Sequence, residues 1–239
     1  MYSDDIFEDN VIKVRNTILE MLEDRGIHRD NLPLNMKYSY LKYMISEFKN
    51  DNNVLDIFAK QDDKKIYVKF INRIERKSST TNYGNLAELS KIIIEANRIN
   101  KDDSVIIVIF DPDFDRLKFF NTEQLLPVNV SVFNYKSLLY NITKHPLVPQ
   151  HTKLTETEKK NIKKKFMLNS YSNLPTISYA DPVCKYYGFK PKDVVKITRH
   201  SNFAKEYDVY KLITGYMKYE IKSKPDEDDE AGLEYTDLD

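Results

Sequence analysis

Apolar positions change period several times along the first 140 residues. Val11, Val14, Ile18, Leu19 and Leu22 recur at helical spacing, and Gly26 follows in DRG. That pattern predicts an amphipathic helix closed by a glycine. Tyr40, Tyr43, Met44 and Phe48 predict a second helix. VLDIFAK and KIYVKFI read as two strands about the polar turn QDDK. A helix follows from Asn85 to Ile99 in NLAELSKIIIEANRI. SVIIVIF is a near-continuous apolar run, as expected of a strand buried on both faces. VNVSVF adds another strand, so this stretch is read as an α/β unit.

A second unit begins near Asn141. Thr155 and Glu158 fit a T-x-x-E capping box opening a lysine-rich helix through Phe166. Asp181-Pro182 opens a short helix that Gly188 closes, with Gly188 expected in left-handed backbone. DVVKITR and YDVYKLIT alternate as half-buried strands do, joined through SNFAKE. The expected division is 1–142, 143–220 and an acidic disordered tail, 221–239.

Composition narrows the classes. The longest apolar run, Val105 to Phe110, is too short to span a bilayer, so no membrane role is expected. The acidic start, MYSDDIFEDN, lacks the pattern of a signal peptide, and an intracellular protein is expected. Cys184 is the one cysteine, which leaves no intramolecular disulfide and no cysteine-based zinc site. A buried small hydrophobe is the reading for it. The zero net charge hides an asymmetry: residues 126–225 hold 18 Lys or Arg against seven acids, and residues 226–239 hold eight acids and no base. The basic block could meet nucleic acid or an acidic protein surface, or be a solvated face.

Candidate chemistry is sparse. With five glycines and no Gly-rich phosphate motif, a nucleotide-cradling loop is not expected. No nucleophile-elbow, H-E-x-x-H or C-x-x-C motif occurs. His145 and His151 are six apart with Pro146 and Pro149 between, which takes them off a common helical face. No metal, cofactor or small-molecule ligand is expected. Asn141-Ile142-Thr143 is formally a glycosylation triplet, but no secretory route is visible. One enzyme class needs testing. A restriction-type nuclease holds a divalent metal with an Asp on one strand and D/E-x-K on the next. Asp56 and Lys69 fit, but Tyr67 stands where the second carboxylate belongs, and a phenol is no hard anionic ligand.

NITKHPLVPQHTKLTETEKK (141–160), with LPTISYADPVCKYYGFKPKDVVKITR (174–199), resembles the shared fifth subunit of eukaryotic nuclear RNA polymerases. The C-terminal domain of that family corresponds to an archaeal polymerase subunit that lacks the N-terminal domain. The matching pieces are N-I-T-x-H-x-L-V-P-x-H, L-P-x-I, D-P-V-x-x-Y-x-G-x-K and V-V-K-I-x-R. VRNTILEMLEDRG is similar to the family's first helix.

The resemblance implies an α/β plus α+β chain. Its N-terminal jaw domain would have a restriction-endonuclease-like fold, and its small C-terminal α+β domain a mixed sheet. It implies a non-catalytic subunit that docks on the largest polymerase subunit, among other core subunits, with the lower jaw near downstream DNA. Partner-binding residues expected from the motifs are Asn141, Thr143, His145, Leu147, Pro149, His151, Asp181, Pro182, Tyr186, Gly188 and Arg199. Pro112, Arg116 and Lys118 are expected to lie near DNA. Three departures stand out: RHSNFAKEY replaces the family's R-x-S-E-T-A-G-R-Y, Asp111-Pro112-Asp113-Phe114 replaces T-P-S-A, and about 25 residues follow the last strand. The Asn/Lys/Ile bias and the divergence would suit a large DNA virus or an AT-rich parasite. The expected location is the nucleus for a cellular protein and a cytoplasmic factory or virion for a viral one. The alternatives are a divalent-metal nuclease and a free-standing basic nucleic-acid-binding module.

Overall fold

The computed structural model describes residues 4–61, 64–72, 94, 103–111, 129–201 and 205–215. Helix α1 (Asp4–Asp24) starts earlier than expected and buries Val11, Val14, Ile18, Met21 and Leu22. Helix α2 (Tyr38–Phe48) buries Leu41, Ile45 and Phe48. Burial of these stripes against the first sheet, at roughly 25 cal/mol per Å² of apolar surface, outweighs the modest helix propensity of the β-branched residues in α1.

The first sheet has the order β1-β2-β3-β4: β1 (Ile57–Gln61), β2 (Lys64–Ile71), β3 (Ser104–Ile109) and β4 (Asn129–Asn134). β1 is antiparallel to β2, whereas β2, β3 and β4 run parallel. Val105 to Ile109 are all fully buried, as the apolar run predicts for a strand covered on both faces. β1 begins at Ile57 rather than Val54. Asp51 Oδ1 accepts from the Asn53 N–H, an Asx turn that takes this backbone group out of any ladder. Phe7, Phe48, Phe110 and Tyr135 form an aromatic cluster between helices and sheet, with Phe110 and Tyr135 stacked at 5.3 Å.

The second sheet has the order β5-β7-β8-β6: β5 (Gln150–Lys153), β6 (Thr176–Ser178), β7 (Val194–Ser201) and β8 (Lys205–Thr214). It too is mixed, with β6 parallel to β8 and the other pairs antiparallel. Helix α3 (Glu156–Lys165) carries the reciprocal capping box of Thr155 and Glu158, and α4 (Pro182–Tyr187) ends at Gly188 with φ +68°. The sequence pattern had not pointed to β5 or β6. The expected helix 85–99 (apart from residue 94), the connection 202–204 and residues 216–239, which include the expected tail 221–239, lie outside the described residues.

Candidate assembly site

Helix α4 lies between the two sheets' cores. Cys184 packs with Phe189, Val195, Ile197 and Ile213 of the second core. Tyr186, two residues on, belongs to the first core with the α1 residues. Asp181 caps the helix, its Oδ1 accepting from the N–H groups of Val183 (2.9 Å) and Cys184 (3.3 Å), and Pro182 occupies the first turn.

The opposite end of α4 is capped from 160 residues away. Arg25 Nε donates to the Tyr186 carbonyl at 2.8 Å and its Nη2 to the Lys185 carbonyl at 2.7 Å. Both are last-turn carbonyls, whose partial negative charge favours a cation; that of Lys185 also accepts from the Gly188 N–H at 3.2 Å. Desolvation lowers the Arg25 pKa to about 10, still well above neutral, so the charge persists. Gly188 is what lets the guanidinium approach. A Cβ there would sit 3.1 Å from Arg25 Cζ.

A polar chain closes the same junction. The Tyr186 hydroxyl donates to Asp24 Oδ2 at 2.7 Å and accepts from Asn141 Nδ2 at 2.8 Å. Asn141 Nδ2 also donates to Glu20 Oε2 at 2.8 Å, and its Oδ1 accepts from the Thr143 N–H and hydroxyl. Lys144 pairs with Glu20 at 2.6 Å. Burial, reinforced by Asp24, holds the Tyr186 phenol protonated far above its usual range. Lys185, 1% exposed, donates to the Val132 carbonyl of β4 at 3.3 Å and lies over the Phe133 ring. Asn141, Thr143, Tyr186 and Gly188 thus stand together where α4 meets α1. Sequence reasoning missed Glu20, Asp24, Arg25 and Lys185; the only available signal was the D-R-G after the first helix.

The remaining motif residues separate by exposure. Leu147 is 86% exposed, in a turn whose Leu147 N–H donates to His145 Nδ1 at 3.2 Å. Pro149 is half-buried, and its carbonyl accepts from His151 Nδ1 at 2.8 Å. Arg199 is exposed on β7, opposite Tyr207. Both histidines therefore make backbone hydrogen bonds. Pro112, Arg116 and Lys118 lie outside the described residues.

His151 is buried, and desolvation lowers its pKa from the ordinary 6.5. The unfolded chain then binds more protons just below pH 6.5, so the His151 contribution to stability is complete above that value and is lost as pH falls toward the lower folded pKa. Thermal melts from pH 7.5 to 5 are expected to show this loss, and His151→Gln is expected to flatten it. An unchanged slope in the variant would exclude His151 as the titrating group.

The nuclease-like residues form their own closed cluster. Lys69 Nζ donates to Asp56 Oδ2 at 2.9 Å, to Asn53 Oδ1 at 2.6 Å and to the Asn52 carbonyl at 3.0 Å. The Tyr67 hydroxyl donates to the same Asp56 oxygen. Burial holds the Asp56 carboxyl above its usual range despite these donors. A phenol and an ammonium thus occupy one oxygen of the Asp56 carboxylate, and the Phe70 N–H lies 3.4 Å from the other. Among the described residues, no group of three or more His, Cys, Asp or Glu could hold a metal ion.

A model of the family described as RNA polymerase Rpb5, C-terminal domain, matches residues 140–213. Over 208 residues the chain is 31% identical to the DNA-directed RNA polymerases I, II, and III subunit rpabc1 of Dictyostelium discoideum, covering 85% of this chain and 97% of that one. It is 27% identical over 230 residues to the Caenorhabditis elegans subunit RPABC1, covering 89% of this chain and all of that one. Against the Arabidopsis thaliana subunit 5B of RNA polymerases IV and V it is 26% identical over 203 residues, covering 84% and 88%. These relatives define the class as subunits of multisubunit transcription complexes. Within that class, the chain belongs to the family of the fifth subunit of DNA-directed RNA polymerases.

Proposed function

We propose that this chain is a non-catalytic subunit of a multisubunit DNA-directed RNA polymerase. In this reading the second-sheet domain docks on the largest subunit, and the first-sheet domain forms a lower jaw beside downstream DNA. The division falls near residue 142, with α4 and Arg25 fixing one part to the other. The jaw's antiparallel-then-parallel sheet supports a restriction-nuclease-related ancestry, and the sequestered Asp56 supports the loss of nuclease chemistry. Full-length protein with magnesium and duplex DNA is expected to show no cleavage; cleavage that disappears in Asp56→Ala would overturn this.

Leu147 carries the docking proposal. It presents its whole side chain to solvent from a segment whose backbone is pinned by His145 and His151. An exposed aliphatic side chain on a backbone held by hydrogen bonds is a suitable interface anchor. Co-expression with the largest subunit tests it. Leu147→Asp is expected to cut recovery of the complex at least tenfold, about 1.4 kcal/mol, with the melting temperature of the free subunit unchanged. Full recovery would remove Leu147 from the interface.

A further inference from the structure

The C-terminal tip of α3 exposes apolar side chains. Phe166 is 47% exposed, its ring 5.8 Å from Tyr210 of β8, and Met167 is 90% exposed. Met167 has φ +51°, left-handed backbone that glycine adopts more readily than methionine. The turn is set by the Met167 N–H donating to the Lys164 carbonyl, the Leu168 N–H donating to the Lys163 carbonyl and the packing of Leu168 on the cluster of Leu154, Ile162, Leu174 and Val194. Nothing in that turn uses the methionine side chain, so the strained, solvated thioether calls for another explanation.

Charge surrounds the tip. Lys160, Lys164 and Lys165 are exposed, and Lys163 lies over the Tyr171 ring. Among the described residues Lys159 pairs with Glu156, while Lys160, Lys163, Lys164 and Lys165 make no ion pair. The partial negative charge of the helix end itself repels anions, so an anionic ligand here is held by lysines rather than by the backbone.

The sequence holds a complementary segment. Residues 226–239 carry eight acids and no base, interspersed with Leu233, Tyr235 and Leu238. Reach is sufficient. Phe166 touches Tyr210, four residues before the end of β8 at Thr214, or roughly 13 Å along a strand. Residues 216–225 alone can span up to ~33 Å. We propose that the Phe166–Met167 tip of α3, flanked by Lys160, Lys164 and Lys165, is the docking site of the chain's own acidic C-terminal segment, residues 226–239. The apolar side chains of the segment cover Phe166 and Met167, and its carboxylates neutralise the lysines, an arrangement that salt weakens. It stands apart from the polymerase reading.

The chain has no tryptophan, so Tyr235→Trp in the full-length protein places a single reporter in the segment. At low salt its emission is expected at shorter wavelength than in a free peptide of residues 225–239 carrying the same substitution. Met167→Gly, and separately Lys164→Glu with Lys165→Glu, are each expected to move the emission at least halfway to that of the free peptide, as is raised salt. Met167→Gly is expected to keep or raise the melting temperature, which separates lost docking from lost folding. Emission equal to the free peptide's in the otherwise unchanged protein overturns the proposal. So does a blue shift that survives both variants. So does a labelled duplex DNA whose binding depends on Lys164 and Lys165 while the reporter ignores them, since the tip would then serve nucleic acid.

Discussion

Asp56→Ala is expected to lower stability by about 3 kcal/mol, because it leaves the Lys69 ammonium buried without its anion. The Lys69 side chain is only 7% exposed, and Asn53 Oδ1 and the Asn52 carbonyl can solvate but not neutralise it. At this chain length the loss corresponds to roughly 6–12 °C in melting temperature. The raised Asp56 pKa shows that burying this carboxylate is itself costly, so the pair is not a large net stabiliser. Removing both charges in Asp56→Ala with Lys69→Met is therefore expected to recover at least half of the loss. A single variant that melts within about 2 °C of the parent, or a double variant no better than the single, would show that Lys69 has another route to compensation. The cluster then reads as a strut that ties the turn before β1 to β2.

Gly188→Val is expected to cost about 3–4 kcal/mol. Two effects combine. A β-branched residue is strained at φ +68°, and its Cβ would displace the guanidinium that caps α4. Gly26 supplies the control. It also has positive φ, +93°, but a Cβ there meets nothing within 4 Å. Gly26→Ala should therefore show backbone strain alone, about 1 kcal/mol, and Gly188→Ala should cost distinctly more. Equal losses at the two glycines, read from denaturant midpoints, would mean that Arg25 moves aside freely. Arg25→Ala is expected to resemble Gly188→Val, since it leaves the Lys185 and Tyr186 carbonyls without their charged donor.

Local rules made much of this protein legible. The Thr155–Glu158 capping box, the Asp181-Pro182 helix start, the left-handed Gly188 and the buried β3 each depend on residues within one or two turns, where spacing and residue type decide the conformation. The family, too, was written in short motifs. β5 and β6 were not legible, because four- and three-residue strands at sheet margins are too short to show a period; only His151 is buried in β5.

The sequence by itself determined the capped helices, the apolar strand and membership in the polymerase-subunit family. Only the tertiary structure decided which motif residues lie at an internal junction and which stand exposed. Asn141 shares a motif with the exposed Leu147, yet with Tyr186 and Gly188 it closes a junction with Glu20, Asp24 and Arg25 more than a hundred residues away. No spacing rule couples residues 25 and 188. Their pairing exists because packing α4 against both cores brings helix-end carbonyls up to a guanidinium, and the Tyr186 carbonyl left there without its charged donor would cost more than ordering that side chain.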